Sequence, residues 1–211
     1  MGRRQQPLAR LAVFCSGQGT NLQAILDAIR KGTLHAQVAL VISDKKDAPA
    51  LRRSARAHVE ACFVDPNAYP HRVAYERMLI RLLDERQVRL VCLAGFMRIL
   101  SRVFIRRYPQ RILNVHPALL PAFPGAHAIR DALAWGVKVT GVTVHFVDEQ
   151  LDHGPIIVQE ALSIAPRQTP DSLLKKIHSI EHRLYPKAIQ WVLDGRVKMS
   201  GRYVHVVTDG G

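Results

Sequence analysis

The chain has 211 residues, 48% of them hydrophobic and 22% charged, which suits a folded domain with a buried core and argues against disorder. Its formal net charge is +13, yet Arg52, Arg53, Arg56, Arg81, Arg86, Arg106 and Arg107 are scattered over several predicted helices. Aromatics reach only 6%, too few for the stacking platforms of a nucleic-acid groove. No apolar run approaches the roughly 18 residues of a membrane span.

Three cysteines, Cys15, Cys62 and Cys92, lie in or beside apolar runs. They are odd in number and lack CxxC spacing, so they read as small buried hydrophobes of a reducing compartment. The start, MGRRQQPLARLAVFCSG, sets basic residues before an apolar stretch. That stretch is too short for a secretory signal and runs into a Gly-rich turn, so it reads as a first strand.

In chain order, Leu8–Phe14 predicts a buried strand and Asn21–Lys31 a helix with apolar residues at 22, 25, 26 and 29. Gln37–Ser43 is a second strand, followed by a helix near 48–57 and a short strand over Ala61–Val64. Pro70 then opens a longer helix, Val88–Ala94 is a wholly apolar strand, and Ser101 caps a short helix that stops before Pro109. Ile112–Val115 adds another strand. Near-continuous apolar strands alternating with helices predict a doubly wound, mostly parallel α/β sheet with helices on both faces.

Beyond His116 the sequence breaks into PALLPAFPG. Val139–Val147 alternates as a half-exposed strand would, and Ile156–Ile164 is placed to pair with it. Thr169-Pro170-Asp171 caps a last helix running to about Leu193, and the tail predicts a hairpin turning at Ser200-Gly201. The whole reads as one domain, 1–211. A Rossmann-like half with the Gly-rich turn is expected over about 8–115, and a second half with the last helix and hairpin over about 116–211.

Three motifs bear on function. Ser16-Gly17-Gln18-Gly19-Thr20-Asn21 joins the first strand to the first helix, where glycines and free N–H groups suit an anion. Leu22 stands where the dinucleotide fingerprint needs a third glycine, and no Gly-Lys-Ser/Thr ending follows, so a single phosphate fits better than a pyrophosphate; a plain tight turn fits equally well. Asn114 and His116 alternate onto one side of a strand at its carboxyl end, and an amide donor beside an imidazole suits a tetrahedral oxyanion. Asp152, in the acidic turn DEQLDHGP, is placed to face His116 and hold the ring; turn chemistry alone would also explain it. Without an HxxxH or HxH pair and a third ligand, no metal site is expected.

The set SGQGTNLQAI, AGFMRIL, ILNVHPALLPAFPG, GVTVHFVDEQLDHGPIIVQE and EHRLYP resembles the folate-dependent formyl hydrolases and transferases. Within that group it is most similar to the phosphoribosylglycinamide formyltransferases, over about residues 8–198. The resemblance implies the formyltransferase fold and a catalytic trio of Asn114, His116 and Asp152. It implies a phosphate loop of Gly19, Thr20 and Asn21, with His178 and Glu181 toward the substrate's ribose. It implies a folate pocket from Arg72, Met97, Arg98, Ile99 and Leu100, with Asn114, Asp148 and Asp152.

The co-substrate so implied is 10-formyltetrahydrofolate, and the acceptor is the amine of phosphoribosylglycinamide in purine synthesis. A cytoplasmic monomer or homodimer follows, without metal, nucleic acid or membrane. The alternative is a formyltetrahydrofolate deformylase, whose relatives carry a regulatory domain ahead of the Gly-rich strand. Methionyl-tRNA formyltransferases add a carboxyl-terminal RNA-binding domain, and neither addition is expected here. Departures from the pattern are Asp44 where relatives often have Asn, Thr20 for Ser, and His153 in place of a small residue, where it is placed to disturb Asp152.

Overall fold

The computed structural model describes residues 7–207. The basic start (residues 1–6) and the end of the tail (208–211) lie outside the described residues. Seven strands form one sheet in the order β3-β2-β1-β4-β5-β6-β7. These are β1 (Ala9–Cys15), β2 (Ala36–Ser43), β3 (Ala61–Phe63), β4 (Leu90–Leu93), β5 (Ile112–His116), β6 (Val139–Phe146) and β7 (Ile156–Ser163). The first five run parallel, and β6 and β7 are antiparallel additions.

Helices α1 (Thr20–Arg30), α2 (Pro49–Arg56), α3 (Arg72–Glu85), α4 (Arg102–Arg107), α5 (Ala128–Ala134) and α6 (Pro170–Leu193) cover both faces. Alternation along β1 divides the core. Leu11, Val13 and Cys15 join a cluster with Leu22 and Ile25 of α1 and Ile177 and Leu184 of α6. Ala12 and Phe14 join another with Tyr75 and Leu79 of α3 and Phe104 of α4. Both faces of β1 are thus buried, which is why its apolar run is continuous. Each buried Leu, Val, Ile or Phe among them contributes about 1.5–3 kcal/mol on leaving water.

Strand order reverses between β1 and β4, and the crevice at the carboxyl ends of such neighbours is where an open sheet binds ligands. The buried Tyr185 hydroxyl of α6 fixes that edge from below, donating to the carbonyls of Leu93 (2.9 Å) and Leu113 (3.0 Å) at the ends of β4 and β5.

Several local expectations are corrected. The third helix starts at Arg72 rather than Pro70, because the His71 ring caps it, its Nδ1 accepting from the Ala74 N–H at 3.2 Å. Ser101 does sit at the start of α4, but its hydroxyl donates to Glu76 instead of capping the helix. β6 is buried along nearly its whole length, since β5 and β7 flank it and α6 packs on it. Its alternation therefore reports buried Thr140, Thr143 and His145 rather than a wet face. The sequence reading passed over the short helix α5. Thr169 caps α6 as expected, accepting from the Ser172 N–H, and the tail forms a hairpin of β8 (Val197–Ser200) and β9 (Tyr203–Val206).

Candidate active site

A cleft of about 510 Å³ opens at the ends of β1, β4 and β5, within the usual size for small-molecule sites. One wall is the βα loop, residues 17–21; the opposite wall is the segment after β4; Asn114, His116 and Asp152 form the floor. A larger groove of about 780 Å³ runs between α1 and α6, away from these groups, and shares only Thr20 with the cleft.

The loop is shaped by α2. Gly19 has φ +69°, and a Cβ there would come within 2.7 Å of the Ala50 Cβ and 2.8 Å of its Cα, so only glycine fits. The carbonyl of Gly17 accepts from the Ala50 N–H at 3.2 Å, and that of Gln18 accepts from Arg53 Nε at 2.8 Å. With these carbonyls drawn toward α2, residues 17–21 present the other side of the loop to the cleft. The Asn21 side chain is engaged, its Nδ2 donating to Glu181 Oε2 at 2.9 Å, while its buried Oδ1 has no hydrogen-bond partner among the described residues.

On the floor, three elements converge. Asp152 lies in the β6–β7 connection at φ 48°, a conformation few non-glycine residues hold and one often stored at functional sites. The turn behind it is crowded: a Cβ on Gly154 would meet the Phe146 carbonyl oxygen at 1.9 Å. One Asp152 oxygen accepts from the Gly125 N–H at 2.8 Å and faces His116 Nδ1 at 3.4 Å. The other accepts from Asn114 Nδ2 at 3.3 Å. His116 Nε2 in turn points at the Phe123 carbonyl, 2.8 Å away. The ring therefore has an oxygen near each nitrogen, the Phe123 carbonyl at Nε2 and the Asp152 carboxyl beside Nδ1.

His145 is buried beneath the floor, and the sequence reading gave it no role. It opposes Asn114 in register on β6, its Nε2 is 3.2 Å from Asn114 Nδ2, and its Nδ1 donates to the Phe146 carbonyl at 2.7 Å. Burial lowers its pKa, against the opposing pull of that carbonyl and of Asp152. Alternation back from the acidic turn, together with the antiparallel pairing, was the signal that would have found it. Gly125 and the Phe123 carbonyl gave no such signal, because they depend on how the Pro-rich segment folds back.

The apolar wall displays Met97 (64% exposed) and Ile99 (54% exposed), and Leu151 and Leu174 extend this surface across the mouth. Arg98 also lines it. At the α6 side stand His178, whose pKa burial lowers, and Glu181, whose carboxyl burial pushes up from 4.5 to about 7 against the Asn21 amide.

Of the predicted site residues, Gly19, Thr20, Asn21, Met97, Arg98, Ile99, Asn114, His116, Asp152, His178 and Glu181 line this one cleft. Three do not. Arg72 is exposed on the first turn of α3, Leu100 is turned into the core, and Asp148 binds His153 Nδ1 at 2.7 Å instead of facing the cleft. His153 is likewise drawn off Asp152, since its backbone carbonyl accepts from Arg202 at 2.5 Å and its ring meets Asp148. Among the described residues no group of three or more His, Cys, Asp or Glu is placed to hold a metal ion, and no helix is long and apolar enough to cross a membrane.

A family model described as formyl transferase matches residues 9–189. Phosphoribosylglycinamide formyltransferase of Escherichia coli is 41% identical over 189 residues, covering 90% of this chain and 89% of that one. The trifunctional purine biosynthetic protein adenosine-3 of Gallus gallus is 42% identical over 199 residues, 94% of this chain; the chain spans only 20% of that longer protein. Among solved structures, glycinamide ribonucleotide transformylase 1 from Symbiobacterium toebii superposes with a TM-score of 0.96 at 47% identity, covering 99% of each chain.

Proposed function

Since this chain belongs to the formyl transferase family, we propose that the cleft moves a formyl group from 10-formyltetrahydrofolate to the free amine of 5′-phosphoribosylglycinamide, in purine synthesis. The observation that carries this is the meeting of Asn114, His116 and Asp152 on the floor of one cleft, between an anion-suited loop and an apolar wall. The single-function relative of matching length bears the name of that activity.

The two walls fit the two substrates. Gly19 and Thr20 take the phosphate at the start of α1, where backbone N–H groups favour an anion. Glu181 and His178 take the ribose. Met97, Ile99 and Leu151 offer apolar area to the flat folate ring, whose formyl-bearing nitrogen supplies an activated carbonyl. Holding both partners here is itself a large effect, worth about 7–11 kcal/mol in favourable cases.

Asn114 then donates to the oxygen that gains charge as the amine adds. Its amide nitrogen donates to His145 at 3.2 Å and to Asp152 at 3.3 Å, and one of these bonds gives way to the developing oxyanion. His116 becomes a second donor when its Nε2 exchanges the Phe123 carbonyl for that oxygen, with Asp152 beside Nδ1 holding the ring. As the new C–N bond forms, the amine loses a proton; as the old bond to the folate nitrogen breaks, that nitrogen gains one. His116 and Asp152 are the groups placed to carry it. The amine is already a nucleophile, so no covalent enzyme intermediate and no metal is called upon. One domain acting in the cytoplasm, as monomer or homodimer, completes the reading.

The test is an absorbance assay for tetrahydrofolate. Product forming only when phosphoribosylglycinamide is present supports transfer. Product and formate forming with water alone would make the protein a deformylase instead.

A further inference from the structure

The segment between β4 and α4, residues 94–101, has no regular secondary structure, yet it forms the apolar wall of the cleft. Its backbone groups still need partners. At its start the Ala94 N–H donates to the Phe14 carbonyl (2.8 Å), and the Gly95 carbonyl accepts from the Ser16 N–H (2.9 Å). Past that point side chains take over. The Met97 N–H donates to Ser16 Oγ at 2.8 Å, and this hydroxyl donates onward to Asp44 Oδ1 at 2.6 Å. At the other end the Ser101 N–H donates to Glu76 Oε1 at 2.7 Å, and the Ser101 hydroxyl donates to Oε2 of the same carboxyl.

Both carboxyl groups are buried, Asp44 at 5% and Glu76 at 1% exposure. Asp44 has Arg98 nearby, at 3.9 Å, while among the described residues no basic group pairs with Glu76. A buried carboxyl lacking a cation is a poor device for stability. Glu76 instead fixes one residue by two bonds. Between the two ties, Phe96 is pinned edge-on to Phe14 at 5.2 Å and Leu100 is buried, which turns the intervening Met97 and Ile99 outward.

We infer that Ser16, backed by Asp44, and Glu76 are positioning residues: they clamp the two ends of this wall so that Met97 and Ile99 stand preformed for the formyl donor. The inference rests on the proposed folate reading of the wall. It adds the residues that directly follow β1 and β2 and one from α3, none of which lines the cleft.

Steady-state kinetics on Ser16→Ala, Glu76→Ala and Glu76→Gln test it, with each substrate varied while the other saturates. Ser16→Ala and Glu76→Ala should raise the KM for 10-formyltetrahydrofolate about tenfold while the KM for phosphoribosylglycinamide stays within about twofold. Glu76→Gln retains an acceptor for the Ser101 N–H and should recover most of the loss. An unchanged donor KM, or both KM values rising together, overturns the clamp. Should Glu76→Ala fail to fold, Ser16→Ala decides, because it removes one oxygen and leaves the helix packing intact. If the unmodified protein shows no saturable use of the donor, the folate reading itself fails. If it does and the variants match it, only the clamp does.

Discussion

Asn114 and His145 oppose each other in register on β5 and β6, with the amide nitrogen 3.2 Å from the imidazole Nε2. His145 Nδ1 donates to the Phe146 carbonyl, so in the neutral ring the Nε2 lone pair is the acceptor that orients the amide. Burial favours the neutral form by lowering this pKa from 6.5. Removing the acceptor with His145→Leu should cut kcat about tenfold with little change in either KM, and His145→Gln should keep more activity. In acid, protonated Nε2 becomes a donor facing the Asn114 amide, so kcat should fall only below the ordinary imidazole range. A pH profile whose acid limb is identical in His145→Gln would sever the two residues.

Asn114 itself should matter in the transition state and not before. Asn114→Ala is expected to lower kcat about a hundredfold or more, the usual cost of one oxyanion donor, while both KM values hold. A loss confined to KM would reassign the residue to ground-state binding.

The parallel half of the fold was legible because β1, β2 and β4 are buried on both faces, and that produces apolar runs no exposed strand would carry. The Asn114–His116 pair was legible from strand alternation. What escaped reading depends on distant packing. Thr140, Thr143 and His145 gave β6 the look of a wet strand, although all three are buried, and Thr143 and His145 find partners on β5, on β7 and in the Pro-rich turn. Arg53 read as one of several scattered basic residues and Glu76 drew no reading, and only the tertiary fold turns one onto the Gln18 carbonyl and the other onto Ser101. The resemblance likewise carried Arg72, Leu100 and Asp148 to the pocket, whereas the chain's own geometry holds them off its walls.

The phosphate loop makes a prediction through its outer face. Gly19→Ala combines a positive φ with contact against α2 backbone, a cost of about 1–3 kcal/mol that should lower Tm by a few degrees. Arg53→Met removes the bond to the Gln18 carbonyl from a half-buried position. It should raise the KM for phosphoribosylglycinamide several-fold, by about 1 kcal/mol of lost orientation, with Tm and donor KM steady. Equal effects of Arg53→Met on both substrates would show that the loop is not specific to the phosphorylated one.

Glu181 supplies a pH dependence of definite sign. Burial pushes its carboxyl from 4.5 to about 7, with the Asn21 amide pulling the other way. A carboxyl with a higher pKa folded than unfolded favours folding below the unfolded value, and that contribution disappears as pH rises from 4.5 through about 7. Glu181→Gln lacks the group, so its stability relative to the parent should improve across that window, by at most about 3 kcal/mol, and level off above it. Chemical denaturation at a series of pH values measures this. In the binding site the ionised form is the better acceptor for ribose hydroxyls, so the parent's KM for phosphoribosylglycinamide should fall as pH rises through 7, while that of Glu181→Gln stays flat. Parallel pH profiles in the two proteins would mean that the carboxyl is ionised throughout or does not meet the ribose, and carbon NMR of the Glu181 carboxyl separates the two.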